Sequence, residues 1–281
     1  MKLKRWVVIV FAAVVVIAGA GWYWYQEQPT DTPTTEKTTI GQTATLYLHG
    51  YSGGAGSTNT LIRHAEQSGA TKVLTATVAK NGKVSWQGNA RHVSKPIVQV
   101  IFQDNVNPDY AKLAGWLTTI NRELYQRYGV RQFNFVAHSM GNMAVMFYAT
   151  QNSDHPKLPK MRAYVAIAGH FDGIIGMGDE PHRIKLAPNG YPTPPDENYA
   201  TLARMRDRFP KNVKVLNIYG DVDDGSDSDG RVANNSSRSL QYLVEGRAAS
   251  YQEKEFVGKK AQHSALHENP QVAKAVDNFI W

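Results

Sequence analysis

Between Gln132 and Ala144 the chain reads Gln-Phe-Asn-Phe-Val-Ala-His-Ser-Met-Gly-Asn-Met-Ala. An apolar run suited to a buried strand breaks at a small residue, reaches a serine two positions on and a glycine two beyond that, and then takes helical spacing. Such a turn from strand to helix is strained and tightly packed, so it needs small residues two before and two after the serine. It lifts the serine hydroxyl above the sheet and aims a helix N-terminus at any anion forming there. Ser139 is therefore a candidate nucleophile, with the Met140 amide as a candidate oxyanion donor. Ala137 stands where the motif more often has glycine. A serine that only caps the helix is the plainer alternative; the complete strand–turn–helix context favours the nucleophile.

Short apolar runs alternate with helical patterns along the rest of the chain. Thr43–His49, Lys72–Val78, Pro96–Phe102, Gln132–Val136, Ala163–Ala168, Val213–Tyr219 and Tyr251–Phe256 read as strands. Asn81-Gly82 between Val78 and Val84 marks a hairpin. Helices are expected over 57–68, 109–128, 140–151, 198–208, 234–244 and 271–280. Strands separated by helices call for a mostly parallel sheet covered on both faces, an α/β fold. Residues 171–197 hold five of the 13 prolines and read as irregular.

A serine nucleophile needs a base, and the base needs an acid to orient it. After the strand ending at Tyr219, five carboxylates fall between Asp221 and Asp229. A solvated loop and a calcium loop are alternatives, but Gly225 occupies a ligand position of the calcium-hand register. Asp229, followed by Gly230-Arg231-Val232 and a helix, is the candidate acid. The candidate bases are His263 and His267, both just ahead of the last helix. Gly50-Tyr51-Ser52-Gly53-Gly54 also matches the literal Gly-x-Ser-x-Gly pattern. No helix starts directly after it. Its place after the first strand suits an oxyanion loop, with the Tyr51 amide as donor, better than it suits Ser52 as nucleophile.

The start of the chain has a different character. Lys2, Lys4 and Arg5 precede twenty uncharged residues, Trp6–Tyr25. That length can cross a hydrocarbon core of about 30 Å as a helix, with the basic cluster inside. Residues 1–25 are expected to be a signal anchor; cleavage near Ala20 would instead release the protein. The Thr- and Pro-rich stretch 26–40 is an expected linker, leaving 41–281 as the folded domain. The formal charge of +7, from 31 Lys+Arg against 24 Asp+Glu, includes that basic start. No dense basic stripe suggests nucleic acid. With no cysteine, disulfides, thiolate metal sites and a cysteine nucleophile are excluded.

Taken together, His49-Gly50, Ala137-His138-Ser139-Met140-Gly141, Ser228-Asp229-Gly230-Arg231-Val232, and His263-Ser264 seven residues before Pro270 resemble the α/β-hydrolases. The likeness is greatest to the membrane-anchored cell-surface hydrolases of Gram-positive bacteria. The resemblance implies an α/β-hydrolase fold with a cap inserted at about 171–209. It implies a triad of Ser139, Asp229 and His263, with His263 favoured over His267 by its spacing to Pro270. It further implies ester hydrolysis through an acyl-enzyme, without metal or organic cofactor, on a small-molecule or lipid ester outside the membrane. Ile174, Ile175, Met177, Ile184, Leu186, Tyr191 and Tyr199 are expected either to line an acyl site or to pack the cap. A non-catalytic envelope scaffold and a surface acyltransferase or peptidase are the other readings.

Overall fold

The computed structural model describes residues 38–281. The expected anchor, residues 1–25, and the linker up to residue 37 lie outside that range. Among the described residues no helix is long and apolar enough to cross a membrane. Ile40, assigned to the linker by composition, is wholly buried, and its backbone bonds to Tyr128 and Val93.

The elements in chain order are β1 (Thr43–Leu48), α1 (Gly56–Gln67), β2 (Thr71–Val78), β3 (Val84–Gly88), β4 (Pro96–Phe102), α2 (Tyr110–Arg127), β5 (Gln132–His138), α3 (Met140–Asn152) and β6 (Lys160–Ile167). Four two-residue strands follow: β7 (Ile174–Ile175), β8 (Gly178–Asp179), β9 (Lys185–Leu186) and β10 (Pro192–Thr193). The chain closes with α4 (Glu197–Arg204), β11 (Lys214–Asp221), α5 (Asn234–Arg238), α6 (Leu240–Val244), β12 (Ser250–Val257) and α7 (Pro270–Ile280).

Eight strands form one sheet in the order β12-β11-β6-β5-β1-β4-β2-β3. All neighbours are parallel except β2 and β3, the hairpin expected at Asn81-Gly82. Central strands of such a sheet are buried on both faces and lose the alternation of a half-exposed strand. β1 and β5 show this directly, being buried along almost their whole length. On one face α1 and α7 pack over the sheet through Leu61, Ile62, Val272 and Val276; α2 and α3 cover the other. Asp109 caps α2 by accepting the Lys112 amide, and Asn269 with Pro270 starts α7. The edge strand β12 carries Glu253, Lys254 and Glu255, charges that discourage pairing with another sheet.

The chain leaves β1 towards β2 on one side and reaches β5 on the other. The carboxyl ends of β1 and β5 therefore form the reversal where open α/β sheets offer a crevice.

The helix expected over 234–244 is instead two short ones. Its serines bond elsewhere: Ser236 Oγ donates to Gly173 O (2.9 Å), Ser237 Oγ to Gly169 O (2.8 Å), and Ser239 Oγ back to Ser236 O (2.7 Å). Serine hydroxyls that seek backbone carbonyls compete with helix continuity. The gain is a firm attachment to the loop after β6.

Candidate active site

The junction of β5 and α3 is sharp. Ser139 has φ 50° and ψ −121°, a region that non-glycine residues rarely adopt. The Ser139 amide donates to Ile167 O (2.9 Å), and Ser139 O accepts from the Asn142 amide (2.9 Å), so both sides of the turn are tied down. The glycine two residues on is required by space. A Cβ on Gly141 would lie 2.7 Å from His49 O and 3.0 Å from Leu48 Cγ. Ala137 fits within β5 between Leu48 of β1 and Ala166 of β6.

The loop after β1 crosses directly against this turn. A Cβ on Gly50 would come within 2.8 Å of Ser139 Cβ. His49 holds that loop from below: its Nδ1–H donates to Gly50 O (2.8 Å) while Nε2 accepts the Phe102 amide (3.0 Å). Burial lowers the His49 pKa, in keeping with this neutral form. The amides of Tyr51 and Met140 donate to no acceptor among the described residues. The next amide, that of Ser52, is taken by Asn105 O at 2.8 Å. Ser52 itself is exposed, with no histidine within hydrogen-bond distance of its hydroxyl.

Asp229 and His263 arrive from the loops that follow β11 and β12. His263 Nδ1 donates to Asp229 Oδ2 at 2.7 Å, and its Nε2 accepts from Ser139 Oγ at 2.8 Å. The other carboxylate oxygen of Asp229 accepts the amides of Arg231 (2.9 Å) and Val232 (2.7 Å), and the His263 amide donates to Asp229 O (2.9 Å). Asp229 is buried but fully satisfied, which fixes its direction. The fold thus brings together Ser139, Asp229, His263 and the amides of Tyr51 and Met140. Asp223 and Asp224 remain outside, in a local turn where Asp224 Oδ1 accepts the Ser226 amide. Among the described residues no three His, Asp or Glu side chains converge as metal ligands.

Two features escaped the sequence reading. His138, the variable residue of the turn, is buried, and its Nε2–H donates to the carbonyl of His263 at 2.9 Å. Burial, with three neighbouring histidines, holds its pKa well below the ordinary range. The only signal was its position beside Ser139. His267, the other candidate base, packs edge-on against His138 with ring centres 4.7 Å apart. It is buried because the 3₁₀ turn at Ala265–Glu268 directs it inward. The second feature is His170 after β6, whose Nε2 lies 3.0 Å from Tyr110 Oη. Burial takes its pKa down to about 3.

A cavity of about 470 Å³ opens over Ser139, lined by these groups and by Pro108, Ile174, Met177, Arg231 and Val232. Tyr51 and Met177, 62% and 75% exposed, stand at its mouth as apolar groups without cover. Of the seven cap residues considered, Ile174 and Met177 line this cavity. Tyr199 is buried and donates to Ser239 O (3.0 Å), Tyr191 packs on Tyr199 and Tyr242, and Ile184 borders a separate cavity.

The same fold recurs in solved structures. The product of gene lin2722 from Listeria innocua is 25% identical over 85% of this chain and 94% of its own, with a TM-score of 0.75. A protein from Lactobacillus plantarum, provisionally named a cell surface hydrolase, is 19% identical over 85% of this chain and 90% of its own, with a TM-score of 0.67. No protein of curated function matches the sequence. Residues 32–281 match the family model described as alpha/beta hydrolase of unknown function (DUF915), and with that match spanning nearly the whole chain, the protein belongs to that family.

Proposed function

We propose that the chain is a serine esterase working outside the cytoplasmic membrane, held there by residues 1–25. The observation that carries the catalytic reading is the unbroken hydrogen-bond series Asp229–His263–Ser139. His263 accepts the Ser139 proton as Oγ attacks the ester carbonyl, and Asp229 holds the imidazole in the tautomer with its proton on Nδ1. The amides of Tyr51 and Met140 stabilise the tetrahedral oxyanion in a site partly withdrawn from water. As the intermediate collapses, the C–O bond breaks and the alcohol leaves with the proton from His263. Water, deprotonated by His263, then attacks the acyl-enzyme; the acid departs and Ser139 regains its proton. The apolar rim of Tyr51, Ile174 and Met177 supports an acyl group on the substrate.

A fluorophosphonate probe and a series of p-nitrophenyl esters test this. Wild type is expected to be labelled at Ser139 and to turn over short esters; Ser139→Ala should lose both, while Ser52→Ala retains labelling. A chain that neither reacts with the probe nor cleaves any ester would be a scaffold instead. For location, protease added to wall-stripped cells should remove the domain; protection would place it inside.

A further inference from the structure

Charge around Ser139 is distributed unevenly. Among the described residues, no Asp or Glu lines the cavity, and Arg231 is the one lining residue with a permanent charge. The accompanying histidines His138, His170 and His267 are all held towards the neutral form by burial. Asp229 lies behind the cavity, its carboxylate engaged by His263 and two amides. The Arg238 and Arg127 guanidinium groups pair with glutamates, but that of Arg231 has no ion pair or hydrogen bond among the described residues. Its backbone is nevertheless fixed. The Arg231 amide donates to Asp229 Oδ1, and Arg231 O accepts the Ile175 amide at 2.9 Å. The residue is therefore clamped between the candidate triad acid and the segment bearing Ile174 and Met177, while its side chain is exposed.

The apolar rim assigns the side of the substrate: with Tyr51, Ile174 and Met177 facing an acyl group, an anionic group belongs to the alcohol portion. The leaving alcohol must depart next to His263, which protonates it. Asp229 contacts both His263 Nδ1 and the Arg231 amide, which ties Arg231 to the triad through a single residue. The donors for the oxyanion, Tyr51 and Met140, come from the loop after β1 and the start of α3. A guanidinium offers a planar fork suited to phosphate or carboxylate, and attraction is strongest where no fixed acid competes. Resting on the esterase reading above, we propose that Arg231 makes the enzyme selective for acyl esters whose alcohol portion is anionic, a phosphate- or carboxylate-bearing alcohol.

The test compares kcat/KM for 1-butyrylglycerol 3-phosphate with that for 1-monobutyrin, which differ only in the phosphate. Wild type at low ionic strength should prefer the phosphate by about tenfold or more, and added salt should shrink the preference. Arg231→Gln, which keeps both backbone bonds, should bring the ratio near one, and Arg231→Lys should keep part of it. A second arm presents phosphatidylglycerol against diacylglycerol in otherwise neutral vesicles. Preference there as well assigns a lipid source; preference in the soluble pair alone assigns a free anionic ester. A ratio near one in wild type, or a ratio unchanged in Arg231→Gln, overturns the proposal while monobutyrin turnover leaves the esterase reading standing. Failure to hydrolyse either ester, with no fluorophosphonate labelling, sinks both.

Discussion

Adding a single methyl group at Gly50 tests whether the loop after β1 serves the chemistry. The new Cβ would meet Ser139 Cβ at 2.8 Å, His138 Nδ1 at 3.0 Å and His138 O at 3.2 Å. Ordinary contact begins near 3.4 Å, so the loop and the turn must part by roughly 0.6 Å. Gly50 is not among the glycines with positive φ, so alanine incurs no backbone penalty and the effect is one of space. Forcing a methyl into a packed site costs about 1–3 kcal/mol, or a Tm lowered by about 2–4 °C per kcal/mol for a chain of this size. The catalytic effect should be larger in proportion. An oxyanion donor displaced by a fraction of an ångström loses most of a contribution usually about 10²- to 10³-fold in kcat. Gly50→Ala should therefore lower kcat on p-nitrophenyl butyrate by roughly 10- to 100-fold, with KM changed by less than about fivefold. Steady-state kinetics and a thermal melt on the same preparation measure both. A folded variant with kcat within about twofold of wild type would refute the Tyr51 amide as an oxyanion donor.

Three further outcomes follow from the same geometry. Asp229→Asn should reduce kcat by about 10⁴-fold while the protein stays folded, whereas Asp223→Asn and Asp224→Asn, confined to a local turn, should stay within about threefold by the same assay. His267→Ala should remain within about tenfold, a barrier change of about 1.4 kcal/mol or less, because His267 packs on His138 and reaches neither Ser139 nor Asp229; a dead variant would reassign the base. Burial pushes Asp172 from 3.8 up to about 7, with Asp196 and Asp179 adding to the shift, so the folded state holds a proton that the unfolded chain releases. Its contribution to stability is full below pH 3.8 and fades as pH rises towards 7. The buried histidines act in the opposite sense, so the clean measurement is a difference: the Tm advantage of Asp172→Asn over wild type should grow between those limits and then level off.

The sheet and the residues that meet at the candidate site could be read because each rests on local pattern. Continuous apolar runs separated by helical spacing define parallel strands without knowledge of their partners. The small residues around Ser139 mark a turn whose crowding is set by immediate neighbours. Asp229 and His263 were harder, since several aspartates and two histidines share their loops; only the flanking Gly230-Arg231-Val232 and Pro270 separated them. His138 and the Tyr110–His170 pair were not legible. Their bonds cross 125 and 60 residues, and nothing in the local sequence reports such distance. The cap divided unevenly for a related reason. Tyr191 and Tyr199 have the same apolar character as Ile174 and Met177, but they meet Tyr242 and Ser239, so that Tyr199 joins the core and Tyr191 packs against it.

The bond from His138 to the His263 carbonyl closes a loop of atoms: Ser139 Oγ to the imidazole, through His263 to its own carbonyl, across to His138, and back by one peptide to Ser139. Such a loop has two latches. In the proposed mechanism the first opens once Ser139 is acylated, because its oxygen no longer carries a proton to share. The second latch is untouched by that event. With the His263 backbone pinned there and Asp229 still holding its ring, the imidazole keeps its station over the ester while water enters, and the second half of the cycle begins from the same geometry as the first. A loop whose backbone was not pinned in this way could shift its base at the one moment when that base must recruit a new partner.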